Sequence, residues 1–150
     1  MRSTPRKHVH AYVSRSGVER NTLVSHLPHR FAEAWNRHDM DAAFADFHDD
    51  AEFVDVDGER YSGWEEITAK HAELHETIFA HCALTIDEIR IRLITVDSAY
   101  VHADWTMRGL TDGPGAVQNE VLHGTLIFVV ARQGTTWRVF AAQNTERVSV

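Results

Sequence analysis

Three side chains close together in this chain have the types and spacing that proton chemistry needs: Asp55, His71 and His75. Asp55 lies between apolar neighbours in Phe53-Val54-Asp55-Val56. A carboxylate so placed is either a base whose proton affinity desolvation has raised or an acid tied to backbone or to an arginine. His71 and His75 are four residues apart, which puts both imidazoles on one face of a helix. Trp64, Ile67, His71, Leu74, His75 and Ile78 share that stripe, so it is the buried face. Each histidine there either lines a pocket or is a core group bonded to backbone. A metal is not expected, because the zincin pattern is HExxH, this stretch is HAELH, and no third ligand can be placed. Should Asp55 and His71 reach one cavity, the carboxylate is the candidate general base and the imidazole its partner.

The elements that must position these groups can be read on either side. Asp55 belongs to a short strand that turns at Asp57-Gly58, and Ser62 with Glu65 forms a capping box that opens the histidine helix. Upstream, Leu27, Phe31, Ala34, Trp35 and His38 recur at helical spacing. The helix breaks near His38-Asp39, where Asp39 caps a shorter one that buries Met40, Phe44 and Phe47 and stops at Asp49-Asp50. Downstream, residues 84–94, 99–108, 120–131 and 136–147 are rich in β-branched and aromatic residues and are divided by turn residues, so they are strands. Helices first and hairpin-linked strands later make an α+β fold with a mainly antiparallel sheet. Leu122, Leu126, Phe128 and Val130 alternate with Val121, Ile127 and Val129, so that strand is apolar on both faces. Three helices cover one face, which leaves the other as the expected homodimer interface. The faces of His102 and Asp104 are not legible without the register. Gln143 and Asn144 fall on opposite faces, so one of them meets the pocket, with Asn144 the candidate.

Composition bounds the rest. With 150 residues, 43% of them hydrophobic and 25% charged, the chain suits one domain with a single core. No apolar run reaches the roughly 18 residues of a membrane span, so no membrane partner is expected. Residues 1–22 carry a net +4 and residues 23–150 a net −11. The first stretch lacks an apolar face or a secretory signal's apolar core, and is expected to be a flexible basic tail preceding a domain at 23–150. An acidic body argues against a nucleic-acid partner, since that affinity comes largely from basic counterion release. Cys82 is the single cysteine, which excludes an internal disulfide and fits a cytoplasmic setting. Trp35, Phe53, Trp64, Phe79 and Trp105 come from helices and strands alike, and an apolar slot between such rings would take a flat, apolar or aromatic small molecule.

The ordered run FAEAWNRHD (31–39), DDAEFVDVDG (49–58), SGWEEI (62–67), HAELHETIF (71–79), LTIDEIRIR (84–92), VHADW (101–105) and AAQNT (141–145) resembles the SgcJ/EcaC-type group of the SnoaL-like, NTF2-like superfamily over about residues 27–147. The resemblance implies an NTF2-like (cystatin-like) cone: three helices wrapped by a curved sheet, a pocket opening into the cone, and a sheet-to-sheet dimer. It also implies a place in natural-product routes of polyketide or enediyne type. Related enzymes work without metal or organic cofactor as isomerases, aldol cyclases and dehydratases, so no cofactor is expected. Asp55 matches the position of an isomerase's general base. The isomerase's oxyanion tyrosine matches Phe31, which has no hydroxyl, and the second oxyanion donor has no counterpart among Leu126 to Val130. The candidate catalytic residues are therefore Asp55 and His71, and the candidate ligand contacts are Phe31, Trp35, Phe53, Trp64, His75, Trp105 and Asn144. Two functions are compatible with this set: a small cofactor-free cyclase, isomerase or dehydratase using Asp55 as base, or a non-catalytic protein that binds and shields an apolar polyketide-like intermediate.

Overall fold

The computed structural model describes residues 15–112, 116–117 and 120–148. Among the described residues three helices precede most of the sheet: α1 (Arg15–Asn36), α2 (Met40–Ala43) and, after two strands, α3 (Trp64–His75). The strands are β1 (Phe47–Val54), β2 (Arg60–Ser62), β3 (Ala83–Thr95), β4 (Ser98–Arg108), β5 (Thr111–Asp112), β6 (Ala116–Val117), β7 (Val121–Gln133) and β8 (Thr136–Glu146). Six of them form one sheet in the order β2-β1-β8-β7-β4-β3, and β5 with β6 makes a separate short hairpin. All pairs in the large sheet are antiparallel except β1 with β8, which run parallel.

The four long strands match the sequence expectation to within two residues at each end. Register shifts at Ile86/Glu88 in β3, at Val129/Val130 between β7 and β8, and between Phe47 and Glu52 in β1 bend the sheet. Each adds local twist, so the helices pack into a concave face. α1 packs across β3 and α3 against β1. Asn36, the last residue of α1, fixes that docking by accepting from the Leu84 backbone N–H at 2.7 Å and donating to the Leu84 carbonyl at 2.8 Å.

Three local readings change. Asp39 does cap α2, accepting from the Ala42 N–H at 3.1 Å, but α2 is a single turn: Phe44 is its C-cap and Phe47 already starts β1, so Asp49 and Asp50 lie inside the strand. The capping box is displaced. α3 starts at Trp64 behind Gly63, whose φ of 88° suits glycine, and the Ser62 N–H is bonded by Glu66, not reciprocally with Glu65. The boundary drawn at 22/23 falls inside α1, which begins at Arg15, buries Gly17 and sends Arg20 Nη1 to the Val96 carbonyl at 3.5 Å. Residues 1–14 of the expected tail lie outside the described residues.

The core lies where α1 and α2 meet the concave face. Phe31 touches Trp35, Phe44 and Phe128, and Phe44 touches Phe47 and Phe53, at ring-centroid separations of 5.0 to 6.0 Å. The edge-on geometry of most of these pairs adds to simple burial. This cluster closes one end of the cone and leaves the other open.

Candidate active site

The open end holds a cavity of about 560 Å³, within the range that small-molecule sites occupy. Its walls come from every layer: Phe31 and Trp35 from α1, Phe53 and Asp55 from β1 and the turn after it, Tyr61 from β2, His71 and Leu74 from α3, Leu84 and Ile86 from β3, Trp105 and Met107 from β4, Leu122 and Leu126 from β7, and Asn144 and Glu146 from β8. The pairing explains the convergence. Phe53 stands opposite Tyr61, Trp105 opposite Gly124, and Leu126 opposite Asn144, so each of these pairs shares the inner face.

His71 is 3% exposed and packs against the rings of Phe44 and Phe53 at 4.7 and 4.8 Å. Its Nδ1 lies 2.8 Å from the Ile67 carbonyl, and since a carbonyl only accepts, the proton must sit on Nδ1. Nε2 therefore presents a lone pair, and it has no hydrogen-bond partner among the described residues. Burial pulls the imidazole's pKa below its usual value; the Ile67 bond and the charge of Asp55 oppose that pull without reversing it. A neutral imidazole with a free basic nitrogen thus lines the cavity.

Asp55 is more committed than its apolar sequence neighbours imply. Its Oδ1 accepts the backbone N–H groups of Asp57 and Glu59, each at 2.9 Å, and its Oδ2 accepts the Tyr61 hydroxyl at 3.0 Å. The bonded turn closes with Asp55 N–H donating to the Glu59 carbonyl and Gly58 taking a φ of 83°. Burial first, and then the bond to Asp55, push the Tyr61 phenol up to about 12. Asp55 and His71 share the cavity without a direct hydrogen bond, and the Tyr61 ring lies 6.1 Å from the imidazole.

Of the expected ligand contacts, Phe31, Trp35, Phe53, Trp105 and Asn144 line the cavity. Trp105 Nε1–H donates to Asn144 Oδ1 at 2.7 Å, which holds the indole flat against Gly124. Trp35 is held by a bond from its own indole N–H to the Cys82 thiol at 3.2 Å. Trp64 and His75 are not cavity residues. The Trp64 indole packs against the core beside Phe44, donating to its carbonyl at 2.9 Å. His75 lies behind Trp35, with ring centroids 4.3 Å apart, and its Nδ1 is hydrogen-bonded to His38 Nδ1 at 2.8 Å, one ring donating and the other accepting. His102, Asp104 and Gln143 project to the outer face, where Asp104 accepts from Thr125 at 2.9 Å and meets Arg90. Tyr61 is not singled out by the sequence pattern; the three-residue turn Val56-Asp57-Gly58 places it opposite Phe53, on the same face as Asp55. Glu146 also lines the cavity. Its signal was alternation along β8, two residues beyond Asn144.

A SnoaL-like domain model matches residues 29–139. The chain belongs to the SnoaL-like family. Among solved structures, this SnoaL-like chain is similar to an uncharacterized protein with a cystatin-like fold from Caulobacter vibrioides (TM-score 0.77, 23% identity, covering 85% of this chain and 89% of that one). A hexachlorocyclohexane dehydrochlorinase is also similar (TM-score 0.75, 14% identity, 89% and 88% covered). So is a ketosteroid isomerase-like protein from Erwinia carotovora atroseptica (TM-score 0.70, 18% identity, 85% and 96% covered). At these identities the likeness establishes the cystatin-like fold and nothing finer. No curated protein matches the chain in sequence. Among the described residues, no helix is long and apolar enough to cross a membrane.

Proposed function

We propose that this SnoaL-like chain is a cofactor-free enzyme that moves a proton on a flat, largely apolar substrate, by isomerisation, cyclisation or dehydration. The observation that carries the reading is the buried neutral imidazole of His71 with Nε2 free on the cavity wall. Nε2 takes a proton from an acidic C–H of the substrate. The resulting imidazolium is stabilised by the Asp55 charge and returns the proton to a second carbon, or to a departing hydroxyl that leaves as water. In this assignment the base is His71. Asp55, with three donors on its two oxygens, is the fixed negative charge that supports it and not the proton acceptor expected from sequence. Tyr61 stays protonated throughout the working pH range and holds Asp55 in place.

Support for the reaction class comes also from the names of two structural neighbours, a dehydrochlorinase and a ketosteroid isomerase-like protein, which refer to elimination and isomerisation. The ordered motifs of the SgcJ/EcaC-type group favour a polyketide or enediyne-type intermediate as substrate. A second reading, a protein that only binds and shields such an intermediate, is favoured by the saturated hydrogen bonding of Asp55.

One experiment separates the two. 2-Tetralone, a flat ketone with acidic C–H groups, is incubated with the protein in D2O and followed by NMR. Deuterium enters the α-carbons if His71 is a working base, and His71→Gln lowers that rate by at least about a hundredfold while ligand affinity stays within about tenfold. Binding without exchange by the natural protein leaves the shielding role. The proposal extends to a homodimer through the outer sheet face, where Val121 and Val129 remain 36% and 37% exposed on either side of half-buried Ile127.

A further inference from the structure

The charge at the cavity mouth narrows the ligand class, and the inference rests on the cavity being the ligand site. β1 and β8 run parallel, with Val54 beside Gln143, so the β1–β2 turn and the end of β8 leave the sheet together. That register brings Asp55, Asp57 and Glu59 from the turn and Glu146 from β8 to the cavity. None of these four forms an ion pair among the described residues. Among the described residues Lys70 is the only cationic side chain lining the cavity, and it is turned to Glu73 at 3.8 Å. Among the described residues the deep wall is apolar and aromatic apart from Asn144, which is engaged by Trp105, the Tyr61 hydroxyl, which is engaged by Asp55, and His71, which is buried with its Nε2 unpartnered.

The site is thus divided along its depth: rings and one basic nitrogen inside, a negative field at the entrance. Among the described residues no three carboxylates, imidazoles or thiols converge as a metal site would require, so the rim acts through its summed field on an organic group. The geometry points to a ligand that is a flat apolar ring system carrying a protonated amine, entering ring first and leaving the ammonium among the rim carboxylates. Anionic forms of the same skeleton, such as free carboxylates, are repelled by the same field.

The test uses three probes that share one ring system: 1-pyrenemethylamine, 1-pyrenemethanol and 1-pyreneacetate. Binding is read by energy transfer from the cavity tryptophans Trp35 and Trp105 to pyrene. At low salt the ammonium probe is expected to bind about tenfold tighter than the alcohol and the acetate about tenfold weaker, and the spread should shrink in ~0.5 M salt as the rim is screened. The double variant Glu59→Gln/Glu146→Gln is expected to narrow the ammonium-to-alcohol ratio severalfold. Acetate binding as tight as the ammonium, or a ratio indifferent to salt and to the double variant, overturns the inference. Equal binding of all three removes only the amine and leaves the cavity and its proton chemistry standing. Failure of all three to bind, with 2-tetralone exchange also absent, removes the cavity reading itself.

Discussion

His71 is available as a base because its other ring nitrogen is already committed to the Ile67 carbonyl, and a helix interior supplies that acceptor at i−4. His75, one turn further on, also has one nitrogen bonded and an Nε2 without a partner among the described residues, but it does not line the cavity. Burial, then the neighbouring His38 and His71, lower its pKa from 6.5 to about 4. A histidine held neutral in the fold gains its proton first in the unfolded chain. Its contribution to stability is therefore fully present above pH 6.5 and is lost progressively as pH falls from 6.5 to 4. His75→Leu is expected to flatten the fall in melting temperature across that window, measured by thermal denaturation at pH 7.5, 6, 5 and 4. Tyr61 works in the same sense at the alkaline end. Its neutral form is favoured in the fold, so stability falls as pH rises from 10 to about 12. In an ultraviolet titration of the folded protein, Tyr61→Phe should remove the latest-ionising phenol.

At the scale of elements, the cavity depends on β7 giving up a side chain. A Cβ on Gly124 would come within 2.1 Å of Trp105 Cζ2 and 2.4 Å of the Thr145 carbonyl, so the indole lies where any other residue would stand. Gly124→Ala is expected to force Trp105 off Asn144 into the cavity, at a cost of about 1–3 kcal/mol in stability by denaturant titration, and to abolish pyrene binding. α1 makes a comparable case at the other end. The two turns from Arg15 to Thr22 bury Gly17 and place Arg20 against Val96, so a chain starting at Leu23 should melt several degrees below one starting at Arg15. A melting temperature unchanged by that truncation would return residues 15–22 to the tail.

For the whole molecule, the sheet divides labour between its faces. The concave side carries the cavity and the convex side carries two kinds of surface. Toward β3 it is polar, with Arg90 bridging Glu88 and Asp104 and with His102 beside Tyr100. Toward β1 and β8 it is more apolar: Val121, Ile127 and Val129 of β7, and Phe140 stacked on His48 at 4.5 Å. A second copy of the chain is the expected cover for the apolar part. Sedimentation velocity at micromolar concentration should give a dimer, and Val129→Lys should shift it to monomer without loss of fold. A monomeric natural protein would assign that face to solvent.

The four long strands and the stripe of α3 follow from side-chain repeats of 2 and 3.6 that the chain carries before it folds, and so does the placing of Asp55 beside apolar residues. The chain's ordered motifs also carried the SnoaL-like resemblance that the family match bears out. Which members of each stripe face one another depends on how the elements pack. Trp64 and His75 lie on the predicted face of α3, yet neither reaches the cavity, because a helix face is wider than the opening it meets. In one dimension Asp55 reads equally as a desolvated base or as an acid tied to backbone or to an arginine, and in three it is held by two turn amides and Tyr61, bonds that exist only once the hairpin has closed. The faces of His102, Asp104 and Asn144 hung on register, which a local pattern leaves free and which strand pairing alone fixes.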